Sequence, residues 1–201
     1  MARLYLVRHA KPAASWGEDP DPGLDATGIA QARAMAEELA GSLSRMPLYT
    51  SPLRRCRETV EPLAQLWFCD AELMPAVAEI PSPPLELAAR HDWLIAAMRG
   101  TWGQLQANAP PGSIDYLAWR RQLVDALLAF ERDCVICTHF IALNVAVGVA
   151  QQRDEVVCFR PDYASVTVLG VDDGRLRVIE LGRQAETFVL PRTTGARAKH
   201  S

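Results

Sequence analysis

The sequence predicts an α/β sandwich built on a mostly parallel sheet. Short apolar runs alternate with segments of helical periodicity along most of the chain, a pattern typical of parallel strands joined by helices. With 201 residues, 49% of them hydrophobic and 22% charged, the chain has enough apolar material for a core and too little charge for disorder. We predict a single domain over residues 1–190 and a disordered tail over residues 191–201, where apolar residues are scarce.

The first predicted elements are a strand, a loop and a helix. Residues 3–7 form a short apolar run typical of a buried strand, and residues 12–22 are rich in Pro, Asp and Gly, which favour a loop. Asp25 is a good N-cap for a helix that runs to about residue 42. Its apolar positions are spaced by threes and fours and predict the buried face: Ile29, Ala32, Ala36, Leu39 and Leu43.

A second strand and helix are predicted next. Residues 47–50 resemble a short strand, and Ser51 followed by Pro52 is a strong signal for the start of a helix. With Ser51 as N-cap, Arg55 lies in the first turns of a helix that runs to about residue 67.

The region 85–130 departs from the alternation of strand and helix. After the break at residues 81–84 (PSPP), helices are predicted over residues 85–98 and 113–130, with a Gly- and Pro-containing connection between them. Because no strand separates these helices, we interpret the region as a helical insertion. We expect it to lie over the ligand site, which such sheets form at the carboxyl ends of their parallel strands.

The C-terminal third predicts one more strand and helix and then a hairpin. Residues 135–138 form an apolar strand, and residues 140–149 form a helix. Strands are predicted over residues 164–171 and 175–182, joined by the hairpin turn signal Asp-Asp-Gly at residues 172–174.

Charge and apolar patterning exclude some classes of partner. The formal net charge of -3 argues against a general nucleic-acid binder, which normally carries a strongly basic face. The apolar run at the N-terminus is too short for a signal peptide, and no apolar stretch approaches the roughly 20 residues of a membrane-spanning helix. We therefore expect a cytoplasmic protein with no nucleic-acid or membrane partner, and the sequence leaves a homodimer open.

The cysteines do not indicate a redox or metal site. Five is an odd number, and scattered reduced thiols fit a cytoplasmic protein. Cys134 and Cys137 have a C-x-x-C spacing, but they lie in a predicted strand, where residues three apart point to opposite faces. We interpret both as small buried side chains.

Three side chains at the ends of predicted strands point to phosphate chemistry. Arg8 and His9 follow the first strand, and His139 follows the strand at residues 135–138. The carboxyl ends of parallel strands form the ligand crevice of such sheets. A neutral imidazole can attack phosphorus when cations neutralise the phosphoryl oxygens, and the fork of an arginine such as Arg8 or Arg55 binds two oxygens at once. The alternative is that each histidine is a structural or surface residue.

Four ordered sequence blocks resemble the histidine phosphatase superfamily, which is also called phosphoglycerate mutase-like. The blocks are LVRHA at residues 6–10, LDATGIAQA at 24–32, SPLRRCRET at 51–59, and Thr138-His139. They are similar to the family signatures R-H-G/A, L-T-x-x-G-x-x-Q-A, S-P-L-x-R-A-x-Q-T and S-H-G. The resemblance implies a three-layer α/β/α sandwich.

The resemblance also implies a mechanism. His9 would be the nucleophile that becomes phosphohistidine, and Arg8, Arg55 and His139 would hold the phosphoryl oxygens. The implied activity is that of a metal-independent phosphomonoesterase, without a cofactor, acting on a small phosphorylated metabolite or a phosphoprotein. Within the third block Arg55 is chosen because it falls four residues after Ser51; its arginine neighbours are interpreted as solvated charges.

Three positions depart from the family pattern. Glu79 matches the family's proton-donating acid, but the Gly-Trp segment that usually follows is absent, and the alternative is an exposed loop glutamate. Ser15 stands six residues after His9, where many members have asparagine, and its hydroxyl is predicted to replace one phosphate contact. Phe140 replaces the glycine after the second histidine and would narrow the pocket.

Two alternative functions remain. A phosphoglycerate-type phosphomutase shares the nucleophile but returns the phosphoryl group to the substrate; the short chain and the altered Glu79 segment fit it poorly. A non-catalytic phosphate-binding or interaction module is the alternative outside enzymes, and the complete set of Arg8, His9, Arg55 and His139 argues against it.

Overall fold

In the computed structural model, which describes residues 1–14 and 18–185, strands and helices alternate as the sequence predicts. The strands are β1 (Ala2–Arg8), β2 (Leu48–Thr50), β3 (Ala71–Leu73), β4 (Cys134–Thr138), β5 (Val166–Asp172) and β6 (Arg175–Glu180). The α-helices are α1 (Ala26–Ser42), α2 (Arg54–Trp67), α3 (Leu87–Ala97), α4 (Trp102–Ala107), α5 (Tyr116–Leu128) and α6 (Phe140–Ala150), with a 3-10 turn at Pro75–Val77. The predicted Ser15 and the tail at residues 191–201 lie outside the described residues.

The strands form a single mixed sheet in the order β3-β2-β4-β1-β5-β6. The four strands from β3 to β1 are parallel, whereas β5 runs antiparallel to β1 and β6 antiparallel to β5. The turn between β5 and β6 has positive φ at Asp173 and Gly174, as a tight hairpin turn requires. The predicted mostly parallel sheet is therefore confirmed.

Helices cover both faces of the sheet, which confirms the three-layer sandwich. The side chains of β1 alternate between two apolar clusters: Leu4 and Leu6 pack with α4, α5 and α6, while Tyr5 and Val7 pack with α1 and α2. Both faces of this central strand are buried, as expected for a strand with helices on either side. Cys134 and Cys137 likewise lie in opposite clusters, so the strand interpretation of the C-x-x-C spacing holds.

Two details of the helices α1 and α2 differ from prediction. Ile29 is 45% exposed, and Met35 occupies the buried face of α1 instead. Helix α2 begins at Arg54 with Leu53 as N-cap, so the prediction of Ser51 as N-cap was wrong. Ser51 instead continues the strand, with its backbone N–H donating to the Cys137 carbonyl, and its hydroxyl lies 2.7 Å from His139 Nε2.

Two short elements were missed by the sequence patterns. Strand β3 has a half-buried first residue and two exposed ones, so it shows no apolar run. Helix α4 lies in the stretch predicted to connect two helices, and Thr101 and Gln104 form a capping box at its start. That T-x-x-Q spacing is a helix-start signature in the sequence itself. Among the described residues, no helix is long and apolar enough to cross a membrane.

Candidate active site

The register of the two central strands brings both histidines to the same edge of the sheet. β1 and β4 are parallel neighbours, and Arg8 pairs with Thr138. The next residues, His9 and His139, therefore leave the sheet side by side, with the His9 N–H donating to the Thr138 carbonyl at 2.9 Å. Their ring centroids lie 5.2 Å apart in an edge-to-face arrangement, and both side chains are buried.

The environment of His9 suits a nucleophile. Its Nδ1 lies 2.8 Å from the Ala10 carbonyl oxygen, which can only accept a hydrogen bond, so Nδ1 carries the proton and Nε2 keeps its lone pair. Burial, followed by the positive charges of Arg55 and Arg8, lowers the pKa of His9 well below its usual value. The imidazole is therefore neutral at physiological pH.

Ser51 orients the second histidine. The hydroxyl of Ser51 accepts from the Leu53 N–H and is hydrogen-bonded to His139 Nε2 at 2.7 Å. This bond fixes the orientation of the His139 ring beside His9. Burial, together with His9 and the two arginines, lowers the pKa of His139 well below its usual value, so this ring is also neutral.

Two guanidinium groups complete the positive part of the site. Arg55 is the second residue of α2 and is 3% exposed. Among the described residues, its buried Nη1 makes no hydrogen bond, and Asp21 Oδ1 lies 3.9 Å away. Within the same part of the chain, the buried Nε of Arg8 also has no hydrogen-bond acceptor. Buried cationic donors without acceptors are costly unless an anion binds them, and the N-terminus of α2 favours an anion at the same place.

Glu79 is tied to this site and is not an exposed loop residue. Its Oε1 accepts from the backbone N–H groups of Ile80 at 3.0 Å and Ile141 at 3.1 Å, which places the carboxyl group at the N-terminus of α6. Burial raises its pKa, against the opposing effects of those hydrogen bonds and of Arg55 and Arg8. Oε2 accepts only the longer bond from the Ile141 N–H, at 3.4 Å, among the described residues, so it is the better-placed oxygen to carry a proton.

The second sequence block shapes the loop that follows the nucleophile. The Lys11 N–H donates to Gln31 Oε1, and the Lys11 carbonyl accepts from the Asp25 N–H. Lys11 Nζ also forms a 2.8 Å ion pair with Asp25. Gly28 lies against the Lys11 carbonyl so closely that a Cβ there would clash with it. The N-terminus of α1 therefore holds the chain two residues past His9.

The third block supplies side chains other than Arg55. Thr59 Oγ1 accepts from the Ala10 N–H at 2.9 Å and so fixes the backbone beside His9. Cys56 is fully buried, and burial raises the pKa of its thiol well above the usual value, in keeping with a small packing residue. Arg54 and Arg57 are exposed, as predicted, and Arg54 pairs with Glu58.

Tyr163 is a site residue that sequence reasoning missed. Its ring lies 6.0 Å from the His9 ring and 4.0 Å from the guanidinium carbon of Arg8. It precedes β5 in sequence and belongs to none of the four blocks, so no sequence signal marked it. Phe140, predicted to narrow the pocket, lies 5.0 Å from the same guanidinium carbon. Among the described residues, no group of three His, Cys, Asp or Glu side chains is arranged to hold a metal ion.

Comparison with known proteins adds a family and a set of similar structures. The family described as the histidine phosphatase superfamily (branch 1) matches residues 4–184. No curated protein matches the chain.

Three solved structures show the same fold over most of the chain. The alpha-ribazole phosphatase from Shigella flexneri is 18% identical with a TM-score of 0.70, and the match covers 91% of this chain and 97% of that one. Bacillus stearothermophilus YhfR is 20% identical with a TM-score of 0.73, covering 90% and 96%. A mycobacterial glucosyl-3-phosphoglycerate phosphatase is 21% identical with a TM-score of 0.70, covering 91% and 99%.

Proposed function

Because the chain belongs to the histidine phosphatase superfamily, we propose that it is a phosphomonoesterase that works through a phosphohistidine on His9. The observation that carries this proposal is a neutral, buried His9 beside two arginines, Arg8 and Arg55, that each have one buried N–H nitrogen without an acceptor among the described residues. Such an arrangement offers a nucleophile and a cradle for the same phosphoryl group.

The first step transfers the phosphoryl group to the enzyme. His9 Nε2 attacks phosphorus, a nitrogen–phosphorus bond forms, and the bond from phosphorus to the ester oxygen breaks. Arg8, Arg55 and His139 bind the phosphoryl oxygens, on which negative charge is concentrated. The Nδ1–H of His9 stays on the Ala10 carbonyl and disperses the positive charge that develops on the ring.

Glu79 moves the proton in both steps. In its acid form it donates a proton to the leaving alkoxide, which would otherwise be a poor leaving group. In the second step its carboxylate accepts a proton from the water that attacks the phosphohistidine, which releases inorganic phosphate and restores His9. The raised pKa of Glu79 supports the donor role, since it keeps the acid form populated at higher pH than an ordinary carboxyl group.

The proposed substrates are small phosphorylated metabolites or phosphoproteins. Two of the similar structures are named as phosphatases of alpha-ribazole and of glucosyl-3-phosphoglycerate, so phosphate esters of sugars, sugar acids and nucleoside-like alcohols belong first in a substrate panel. A transfer assay with phosphoglycerate tests the phosphomutase alternative on the same preparation.

Hydrolysis of p-nitrophenyl phosphate tests the proposed function. We expect turnover that persists in EDTA and falls at least about a thousandfold in His9→Ala, because removal of a covalent nucleophile eliminates the main path. His91→Ala is the matched control, since His91 is exposed on α3. Activity that survives in His9→Ala would contradict the mechanism.

A further inference from the structure

We propose that Tyr163 is a positioning residue of the phosphate site, holding the guanidinium of Arg8 in place beside His9. This inference rests on the proposed function, because it assumes that Arg8 binds the phosphoryl group. It assigns a role to a residue that lies outside all four sequence blocks.

The contacts of Arg8 show what limits its movement. One guanidinium nitrogen, Nη1, donates to the Pro161 carbonyl at 2.8 Å. The guanidinium carbon lies 4.0 Å from the centre of the Tyr163 ring, well within the range of a cation–π contact, and 5.0 Å from that of Phe140. Residues 161 and 163, on one loop, thus contact two parts of the same side chain.

The backbone of this loop is fixed to the same strand end. Ala164, which follows Tyr163, has a φ of 52°, in the left-handed region that residues with a Cβ rarely adopt. Its N–H donates to the Arg8 carbonyl at 3.1 Å, and the Arg8 N–H donates to Ser165. Strained residues of this kind persist only where the surrounding structure over-determines them, and they cluster at functional sites. The backbone of this turn is therefore hydrogen-bonded to Arg8, and the Tyr163 ring that the turn carries contacts the side chain of the same residue.

A mobile arginine side chain binds phosphate less tightly than one that is already held in place. Arginine carries several rotatable bonds, and ordering them on binding costs free energy. A guanidinium already held by a ring face and a carbonyl binds with less of that cost. Tyr163 is itself partly buried, and its ring centroid lies 6.0 Å from that of His9, so the guanidinium is held beside the nucleophile.

A graded set of variants tests the inference, with inorganic phosphate binding measured by calorimetry and turnover of p-nitrophenyl phosphate measured separately. Tyr163→Leu keeps apolar volume but removes the ring, and we expect phosphate affinity and kcat/KM to fall about tenfold, the size of a partly desolvated cation–π contact. Tyr163→Phe and Tyr163→Trp keep a ring face, and we expect both within about threefold of the native protein. Tyr49→Leu is the control, because Tyr49 packs on Phe130 instead.

A double-mutant cycle shows whether Tyr163 acts through Arg8. In an Arg8→Ala background, Tyr163→Leu should change phosphate affinity by less than about twofold, because the contact it removes is already gone. Unchanged affinity in Tyr163→Leu alone, or an equal loss in both backgrounds, would overturn the inference. Failure of Tyr163→Phe and Tyr163→Trp to retain affinity would also overturn it.

The two proposals fail in different measurements. A native protein that binds phosphate but forms no product contradicts the proposed function and leaves the binding comparison intact. A native protein that turns over substrate while Tyr163→Leu matches it contradicts only the role of Tyr163. Thermal melts of each variant show whether a loss of phosphate affinity reflects unfolding. If Tyr163→Leu is unfolded, the phosphate affinities of Tyr163→Phe and Tyr163→Trp test the role of the ring.

Discussion

At the scale of single residues, the site contains two groups whose pKa values are shifted in opposite directions. Burial and two arginines lower the pKa of His9, so this base stays unprotonated at lower pH than an ordinary histidine. Burial raises the pKa of Glu79, so this acid stays protonated at higher pH than an ordinary glutamate. Both shifts increase the fraction of the protein in which His9 is in its base form while Glu79 is in its acid form, which is the condition for the proposed first step.

The pH dependence of Glu79→Gln tests the acid. In the native protein, kcat/KM should fall on the acid side as His9 is protonated and on the alkaline side as Glu79 ionises. The glutamine variant cannot ionise or transfer a proton, so it should lose the alkaline limb that Glu79 contributes. For an alkyl phosphate we expect a fall in kcat of about 100-fold or more, and for p-nitrophenyl phosphate, whose phenolate leaves unaided, a much smaller one.

Glu37→Gln, an exposed residue of α1, controls for the loss of one carboxylate. Equal losses on the alkyl and nitrophenyl substrates would show that Glu79 supports the structure of the site instead of donating a proton.

Residues in the site differ in how far the sequence could predict them. Arg8, His9, Arg55 and His139 lie in ordered blocks, and the register of β1 and β4 explains why two histidines 130 residues apart meet. Tyr163 could not be predicted, because its contact depends on where a turn before β5 places it across the sheet edge. Ser51 was expected to cap α2, yet its hydroxyl is bonded to His139, a contact that only the folded sheet creates.

At the scale of elements, the junction between α1 and the loop after His9 explains why the second sequence block contains a glycine. Gly28 lies in α1 with a negative φ, so the reason is close approach and not backbone freedom. The Lys11 carbonyl occupies the space that a side chain would need. Helix and loop can pack at this distance only if residue 28 has no Cβ.

A pair of glycine substitutions in α1 tests this junction. Gly28→Ala should destabilise the protein by about 1–3 kcal/mol, because the loop must move away from the helix, and should lower kcat/KM because this loop directly follows His9. Gly41→Ala, in the same helix, has no heavy atom within 4 Å of the added Cβ. It should raise stability by about 0.5 kcal/mol and leave activity unchanged. Chemical denaturation and steady-state kinetics measure both, and equal effects at the two positions would contradict the role of close packing.

Element boundaries show where local patterns stop being informative. The capping residue Asp25 predicts the start of α1 correctly, because its side chain accepts from the Gly28 N–H within the same turn. β5 was predicted to begin at residue 164 but begins at Val166, since Ala164 adopts a left-handed turn that its apolar character does not reveal. Helix caps made by local contacts can be predicted from the sequence, whereas turns imposed by tertiary contacts cannot.

At the scale of the whole molecule, strand order determines where the chemistry is. β1 and β4 are neighbours in the centre of the sheet, with β2 beside β4, so the residues following three strand ends face one another. Those residues are His9, His139 and Ser51, and α2 adds Arg55 from the same edge. The alternation of strands and helices predicted the α/β sandwich with a mostly parallel sheet, but the order of the strands follows from their pairing and not from any local signal.

Trapping of the phosphorylated enzyme tests the central claim most directly. The protein is mixed with a phosphomonoester labelled on phosphorus and quenched within milliseconds in alkali, because phosphohistidine is labile in acid. We expect label on the native protein, lost on acid treatment and mapped to the peptide that contains His9, with none on His9→Ala. Turnover by the native protein without a labelled intermediate, or label that persists in His9→Ala, would contradict the account.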